Sequence, residues 1–224
     1  MQNKSNDEIL KMYMKLMDFF ADFLGSDYEM VLHDVSDIEN SIVYIKNNFS
    51  GRKTGGFITQ LGLRFIKEKT YENEEYCVNY TSTLSDGRTI RSATYFIKDE
   101  YGELIGILCI NVDVTKAMLF DEYLQDIIRG QKTIPPVEEV EVPFTKGLSQ
   151  NLCDSIEDVA QYMMNESISK FVIPVERMSL DEKKEIICEL DGKGFFLIKG
   201  SVKSVANRLL VSEATVYRCI NSGN

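Results

Sequence analysis

The chain has 224 residues, of which 44% are hydrophobic and 27% charged, and its formal net charge at pH 7 is −10. These values are ordinary for a folded protein and exclude a chain that is disordered throughout. Its five cysteines show no C-x-x-C spacing, and no apolar run approaches the ~20 residues of a membrane span, so we expect a reduced cytoplasmic protein that does not enter a membrane.

The negative charge lies mainly upstream of the C-terminal segment. Residues 174–224 contain eight Lys or Arg against seven Asp or Glu, a net of +1, whereas residues 1–173 carry −11. Because contacts with DNA phosphates depend on the local potential, the acidic total does not exclude a C-terminal segment that binds nucleic acid.

Helix and strand patterns alternate over the first 130 residues. Apolar residues at helical spacing predict helices over residues 9–24, 57–68 and 115–129. Alternating apolar and polar residues predict strands over residues 28–35, 41–47, 76–84, 89–98 and 104–113. The turn at Ser85-Asp86-Gly87 makes its two strands antiparallel. This order is that of a PAS-type sensor domain, an antiparallel sheet with flanking helices.

A linker and a further helix are expected next. Residues 131–146 hold Pro135, Pro136 and Pro143 among several glutamates, which favours an extended spacer. The chain therefore divides into a sensor domain (residues 1–130), a linker (131–146) and a C-terminal domain (147–224). Residues 147–171 carry an apolar stripe at steps of three and four residues, which fits either a homodimer seam or a helix packed on its own domain.

The C-terminal residues have the pattern of a helix-turn-helix. Ser179 and Glu182 form the sequence of a capping box, which predicts a helix over residues 179–190. In SVKSVANRLLVSEATVYRCI (residues 201–220) two short apolar-striped segments flank a three-residue turn, and Ser212 is placed to cap the second helix. The fold class is therefore α+β, with a PAS-like antiparallel sheet followed by an all-α helix-turn-helix domain.

Such a motif places its second helix in the major groove of double-stranded DNA. The residues expected to contact bases at the start of that helix are Ser212, Thr215, Tyr217 and Arg218. Those expected to contact backbone phosphates are Lys199, Lys203 and Arg208. The alternative is a small helical subdomain that only packs against its neighbours.

These segments resemble the YheO-like bacterial regulators, which pair a YheO-type PAS domain with a C-terminal helix-turn-helix. The resemblance rests on residues 31–56, 102–115 and 180–220, in that order. It implies a transcription factor that responds to a small metabolite or a protein signal. Two positions depart from the family pattern: Leu210 stands in the turn where glycine is common, and Cys219 stands where an aromatic residue is usual.

Polar residues at strand ends and in a glycine-rich loop suggest a ligand pocket. On the last strand Ile105, Ile107, Cys109, Asn111 and Asp113 are expected to share one face. The residues expected to line the pocket are His33, Arg52, Thr94, Asn111 and Asp113. With a carboxylate on Arg52 and an amine on Asp113, an amino-acid-like ligand would fit. Alternatively, Asn111 and Asp113 only satisfy loop amides, and Arg52 is solvated.

Catalytic patterns are missing from the sequence. His33 is the single histidine, no G-x-S-x-G surrounds a serine, and neither a P-loop nor a G-x-G-x-x-G motif is present. We therefore expect a homodimeric DNA-binding regulator that is not an enzyme and holds no cofactor or metal. The competing interpretation is a PAS-based protein–protein signalling module without DNA binding.

Overall fold

A single sheet forms the centre of the N-terminal half. The computed structural model describes residues 5–84, 86–130, 149–152 and 155–222. Within them the sheet has six strands in the order β2-β1-β5-β4-β3-β6. The strands are β1 Tyr28–Asp34, β2 Ile42–Lys46, β3 Tyr76–Leu84, β4 Thr89–Lys98, β5 Leu104–Asp113 and β6 Ser149–Leu152.

Seven α-helices surround and follow the sheet in the described residues. Three belong to the N-terminal half: α1 Asn6–Leu24, α2 Gln60–Lys67 and α3 Thr115–Arg129. Four form the C-terminal part: α4 Ile156–Ser169, α5 Leu180–Gly192, α6 Ser201–Leu209 and α7 Glu213–Ser222. The α+β class is confirmed, as are the five antiparallel strands expected from the alternating pattern.

The N-terminal helix covers one face of the sheet. A capping box between Ser5 and Glu8 starts α1, and its inner side buries Leu10, Met17 and Ala21. Leu10 and Met17 pack with Met30, Leu32, Ile97 and Ile105 from the strands. Burying each of these large apolar side chains contributes roughly 1.5–3 kcal/mol, which holds the helix on the sheet.

The opposite face shares its core with the C-terminal helices. Leu63 and Phe65 of α2 belong to the same buried cluster as Phe96 of β4 and as Met163 and Ile186 of α4 and α5. The rings of Phe65 and Phe96 meet edge to face at 5.2 Å. The sheet and the C-terminal part are therefore joined by a continuous hydrophobic core that runs through α2.

One residue of β5 lies on the other face from the one expected. The register slips by one residue opposite Ile97 and Lys98, so Ile105 is the extra residue of a bulge. Ile105 consequently packs on the α1 side, with Met30 and Leu32, and not with Ile107 and Cys109. A bulge breaks the period of two on which the sequence argument depended.

The helix expected over residues 147–171 is shorter and starts later. Residues 149–152 form β6 instead, which pairs in parallel with β3 from Thr81 to Leu84. The helix begins at Ile156, after Ser155, whose side chain accepts a hydrogen bond from the Asp158 amide. Of the expected apolar stripe, Val159, Met163 and Ser167 are buried within the chain itself. The helix therefore packs on its own domain, which is the second of the two alternatives, and these residues do not form a homodimer seam. The linker expected at 131–146 lies outside the described residues.

Candidate nucleic-acid interface and buried polar chamber

The last two helices form the crossed pair expected of a helix-turn-helix. Val205, Ala206 and Leu209 of α6 and Val216 of α7 are buried between the helices and α5. In the turn the amide of Val211 donates to the carbonyl of Ala206 at 3.0 Å, which closes the end of α6. The apolar positions that the sequence pattern singled out are therefore the positions through which the two helices pack.

Leu210 adopts the left-handed conformation in this turn, with a φ of 53°. Its side chain is 61% exposed, so it adds little to the core. This conformation explains why glycine is common here, because only glycine adopts it without a steric cost. Cys219, the second departure from the family pattern, is buried in the core beside Val216, and burial raises the pKa of its thiol.

Ser212 caps the second helix as expected. Its hydroxyl accepts a hydrogen bond from the amide of Thr215 at 3.1 Å and lies 2.9 Å from the Thr215 hydroxyl. This pair fixes where α7 begins and orients its first turn. Thr215 itself is half-buried.

The remaining DNA-binding candidates lie on exposed sides of α6 and α7. Tyr217 is 53% exposed, and Arg218 beside it is also exposed. Lys203 and Arg208 project from α6 and form no ion pair with any residue that the structure describes. The structure therefore brings a hydroxyl-rich helix start, an aromatic ring and three cations to the exposed surface of the two helices.

Lys199 occupies a different environment from the other cations. Its amide donates to Oε1 of Glu39 at 2.9 Å, and its Nζ lies 3.4 Å from Oε2 of the same carboxylate. Glu39 belongs to the turn between β1 and β2, so this residue connects the sensor half to the start of α6. The Lys199 side chain is 78% exposed, which makes the ion pair weak.

The sheet face that faces α2 carries an unusual number of buried polar side chains. All are at most 2% exposed, and together we call them the polar chamber: Glu29, His33, Tyr80, Ser82, Ser92, Thr94 and Asn111. They come from β1, β3, β4 and β5, which the register places side by side. Buried polar groups are costly unless paired, so this arrangement requires a hydrogen-bond network.

The carboxylate of Glu29 is the terminus of that network. It accepts from the side-chain amide of Asn111 at 3.1 Å and from the backbone amide of Ser50 at 3.0 Å. Asn111 in turn accepts from the Ser92 hydroxyl at 2.8 Å, and Ser92 lies 2.8 Å from the Ser82 hydroxyl. A second pair joins the hydroxyls of Tyr80 and Thr94 at 2.8 Å.

Arg52 enters the chamber from the glycine-rich loop. Its Nη2 donates to the carbonyl of Phe57 at 2.7 Å, and the guanidinium makes no other hydrogen bond within the described ranges. Burial lowers the pKa of Arg52, and the nearby groups Cys109, Glu29 and Tyr80 act in the opposite direction. A guanidinium has five N–H donors, so Arg52 retains capacity to bind a carboxylate.

His33 is neutral at physiological pH. Complete burial, together with the charge of Arg52, holds the pKa of its imidazole well below the usual 6.5. Its Nδ1 lies 2.8 Å from the hydroxyl of Ser41, within the sensor half. His33 is thus a hydrogen-bonding group of the chamber and does not carry charge there.

A small cavity adjoins the chamber under α2. Its walls include His33, Tyr80, Thr94 and Cys109 from the sheet and Leu61, Gly62 and Phe65 from α2. The cavity volume is about 10 Å³, which is close to the space one water molecule requires. A metabolite therefore needs α2 or the loop around Arg52 to move before it can enter.

The five predicted pocket residues are not all in one place. His33 and Thr94 line the cavity, Arg52 reaches towards it, and Asn111 lies in the network on the same face. Asp113 is engaged elsewhere, since it pairs with Arg88 at 3.3 Å and accepts from the Thr115 amide at 3.0 Å. Burial opposes ionisation of Asp113, but these bonds outweigh it and lower its pKa.

The sequence argument overlooked Glu29 and Tyr80. A glutamate in a strand is usually exposed, whereas Glu29 is fully buried. The available signal was the period of two, because Glu29 and His33 are four residues apart and therefore share a face of β1.

No helix among the described residues is both long and apolar enough to cross a membrane. In the same part of the chain, no three histidine, cysteine or carboxylate side chains lie together as metal ligands would.

Two family models match parts of the chain. A family model described as the YheO-like PAS domain matches residues 4–129, and one described as an HTH domain matches residues 159–221. The uncharacterized protein YheO of Escherichia coli (strain K12) is 30% identical over 216 residues, which cover 96% of this chain and 85% of YheO.

Two more relatives align over nearly the whole chain. The transcriptional regulator DauR of Pseudomonas aeruginosa is 24% identical over 214 residues, which cover 96% of this chain and 94% of DauR. An uncharacterized protein of Haemophilus influenzae is 26% identical over 210 residues, which cover 93% of this chain and 88% of that protein.

Proposed function

The chain belongs to the YheO-like family, whose PAS and helix-turn-helix domains mark DNA-binding transcriptional regulators rather than enzymes, and we propose that it binds operator DNA through α7 under the control of a small ligand. The observation that carries the DNA part is the capped, exposed start of α7 next to the exposed cations of α6. A protein that acts on chromosomal operators would work in the bacterial cytoplasm.

The proposed contacts follow from the positions of the side chains. Arg218, Tyr217 and Thr215 face the bases, with Ser212 setting the position of the helix start. Lys203 and Arg208 contact phosphates on either side of the groove. Lys199 contacts phosphate only when its weak pair with Glu39 opens, so it is the least important of the three phosphate ligands.

For the ligand, the polar chamber supports an amino-acid-like molecule. Arg52 offers unused donors to a carboxylate, and Glu29 offers a buried carboxylate to an ammonium group. Glu29 replaces Asp113 in this role, because Asp113 is already held by Arg88 and Thr115. A fully buried carboxyl group and a half-buried guanidinium near the same sheet face are the groups that a zwitterion requires.

Helix α2 provides a direct route from the ligand to the DNA-binding helices. Leu61, Gly62 and Phe65 form the cavity wall. On the other side, Lys67 of the same helix pairs with Asp191 of α5 at 2.7 Å. A ligand that enlarges the cavity therefore displaces α2 and, through it, the helices that support α6 and α7.

Two experiments test the proposal separately. Selection of bound duplexes from random oligonucleotides should enrich one sequence motif; no enrichment would contradict the operator-binding role. For the ligand, free α-amino acids of differing side chains should raise the melting temperature of the wild type for at least one member.

Variants locate the ligand. Glu29→Gln and Arg52→Met should lose the rise in melting temperature, whereas Asp113→Asn is the matched control and should keep it. Retention of the rise in Glu29→Gln together with its loss in Asp113→Asn would reverse the assignment. If no α-amino acid raises the melting temperature, the ligand class is wrong while the DNA result stands.

A further inference from the structure

Helix α3 presents its large apolar residues to solvent, while several of its polar residues are less exposed. None of its 15 residues is buried. Phe120, Tyr123, Ile127 and Ile128 are 60–74% exposed, whereas Glu122, Gln125 and Asp126 are only half-exposed. A solvated surface helix has the reverse arrangement, and among the described residues none covers the outer side of α3.

The C-terminal half of α1 has the same property. Its inner side is buried on the sheet, but its outer side exposes Leu16 (43%), Phe19 (62%) and Phe23 (78%). The rings of Phe19 and Phe23 stack on each other with centroids 6.5 Å apart. They cover each other only partly, and large apolar area remains exposed to water.

The two helices meet at the same end of the sheet. The amide of Asp113 donates to the carbonyl of Asp27 at 3.4 Å. Helix α1 ends at Leu24, just before Asp27, and α3 begins at Thr115, just after Asp113. The phenylalanines at the end of α1 and the first turns of α3 therefore lie at one edge, and we call their outer sides together the α1/α3 surface.

The area of this surface is that of a stable interface. Five aromatic side chains of the two helices are 40–78% exposed: Phe19, Phe20, Phe23, Phe120 and Tyr123. At ~200 Å² for each complete aromatic side chain they present about 600 Å², and the aliphatic residues bring the total to roughly 900 Å². Monomeric proteins rarely expose so much apolar area in one region. Each partner of a standard protein–protein interface buries about 800 Å².

We propose that a second copy of this chain covers the α1/α3 surface. The spacing of Phe120, Leu124 and Ile127, four and then three residues, is that of a helix paired with another helix. The stripe of α4 is not available for this purpose, since Val159 and Met163 are already buried. The inference extends the proposed function, because a short recognition helix gains affinity when two copies read two half-sites.

The test is the mass of the chain in solution over a range of concentrations. By sedimentation velocity, the wild type should have twice the 25.6 kDa of one chain. The double variant Phe23→Asp/Tyr123→Asp should sediment as the monomer, with dimer affinity reduced at least ~30-fold. Circular dichroism and urea unfolding of the monomeric variant should confirm that it remains folded.

The matched control is Tyr101→Asp, a 77% exposed aromatic residue in the turn between β4 and β5, which should stay dimeric. A monomeric wild type would overturn the dimer itself. A dimeric wild type whose double variant is also dimeric would overturn the α1/α3 surface alone. In the selection of bound DNA a monomer would still enrich a single half-site and a dimer two half-sites, so failure here is distinct from failure of the operator-binding role.

Discussion

The carbonyl oxygen of Leu63 on α2 lies against Gly194, which follows α5. A Cβ placed on Gly194 would come within 2.7 Å of that oxygen. Gly194 also has a φ of +77°, which other residues rarely adopt. The contact is therefore a close backbone approach between the helix that covers the cavity and the helices that support α6 and α7.

Substitution of Gly194 tests the close contact between the two backbones. Gly194→Ala should lower the free energy of unfolding by at least ~2 kcal/mol, because it adds left-handed strain to a clash with rigid backbone. Urea denaturation measures the change. Gly192→Ala is the control: it has open space, lies in α5, and should be neutral or stabilising by up to ~1 kcal/mol. Equal stability of the two variants would refute the close contact.

Glu189 connects α5 to the end of α4 and should make stability depend on pH. Burial opposes its ionisation, but hydrogen bonds from Lys170, Lys193 and Ser167 outweigh burial and lower its pKa from 4.5 to about 2. A folded-state pKa below the unfolded value stabilises the protein above pH ~4.5, and this contribution is lost as the pH falls towards ~2.

The corresponding variant is Glu189→Gln. At pH 7 it should lower the free energy of unfolding by about 1–2 kcal/mol, allowing for partial solvent exposure. The difference from wild type should shrink when urea denaturation is repeated between pH 4.5 and 2. The control Glu185→Gln, exposed on the same helix, should have little effect. A difference in the free energy of unfolding that does not change with pH would show that the ion pairs of Glu189 do not supply this stability.

Two substitutions of Leu210, in the strained turn of the helix-turn-helix, should change the stability of the chain in opposite directions. Leu210→Gly removes the cost of the left-handed conformation and should stabilise the chain by up to ~1 kcal/mol, since the leucine is mostly exposed. Leu210→Val places a β-branched side chain at the same φ and should destabilise it by ~1 kcal/mol or more. Thermal unfolding compares the two, and a reversed order would exclude the left-handed turn.

Features set by local chemistry were predictable from the sequence. The capping box of Ser179 and Glu182, the cap at Ser212 and the alternation of β3 each depend on residues within one short segment. Their positions in the structure agree with the expected ones to within one or two residues.

Features set by distant contacts were not predictable in this way. Strand β6 forms because it meets the edge at Thr81, far away in the chain, and its own residues give no strand pattern. Burial of Glu29 depends on Asn111, 82 residues later, and on the loop at Ser50. The bulge at Ile105 turns this side chain to the opposite face of β5, and the amino-acid composition of the strand gives no sign of it.

Operator affinity as a function of salt tests the central claim most directly. On the duplex obtained by selection, Arg218→Ala should cost ~1–3 kcal/mol and relax the base preference at one position. Lys203→Ala should weaken all sequences alike and reduce the slope of log K against log salt by about 1. The control Lys15→Ala, exposed on α1, should leave both unchanged. Unaltered affinity and slope in both α6 and α7 variants would contradict the placement of these helices on DNA.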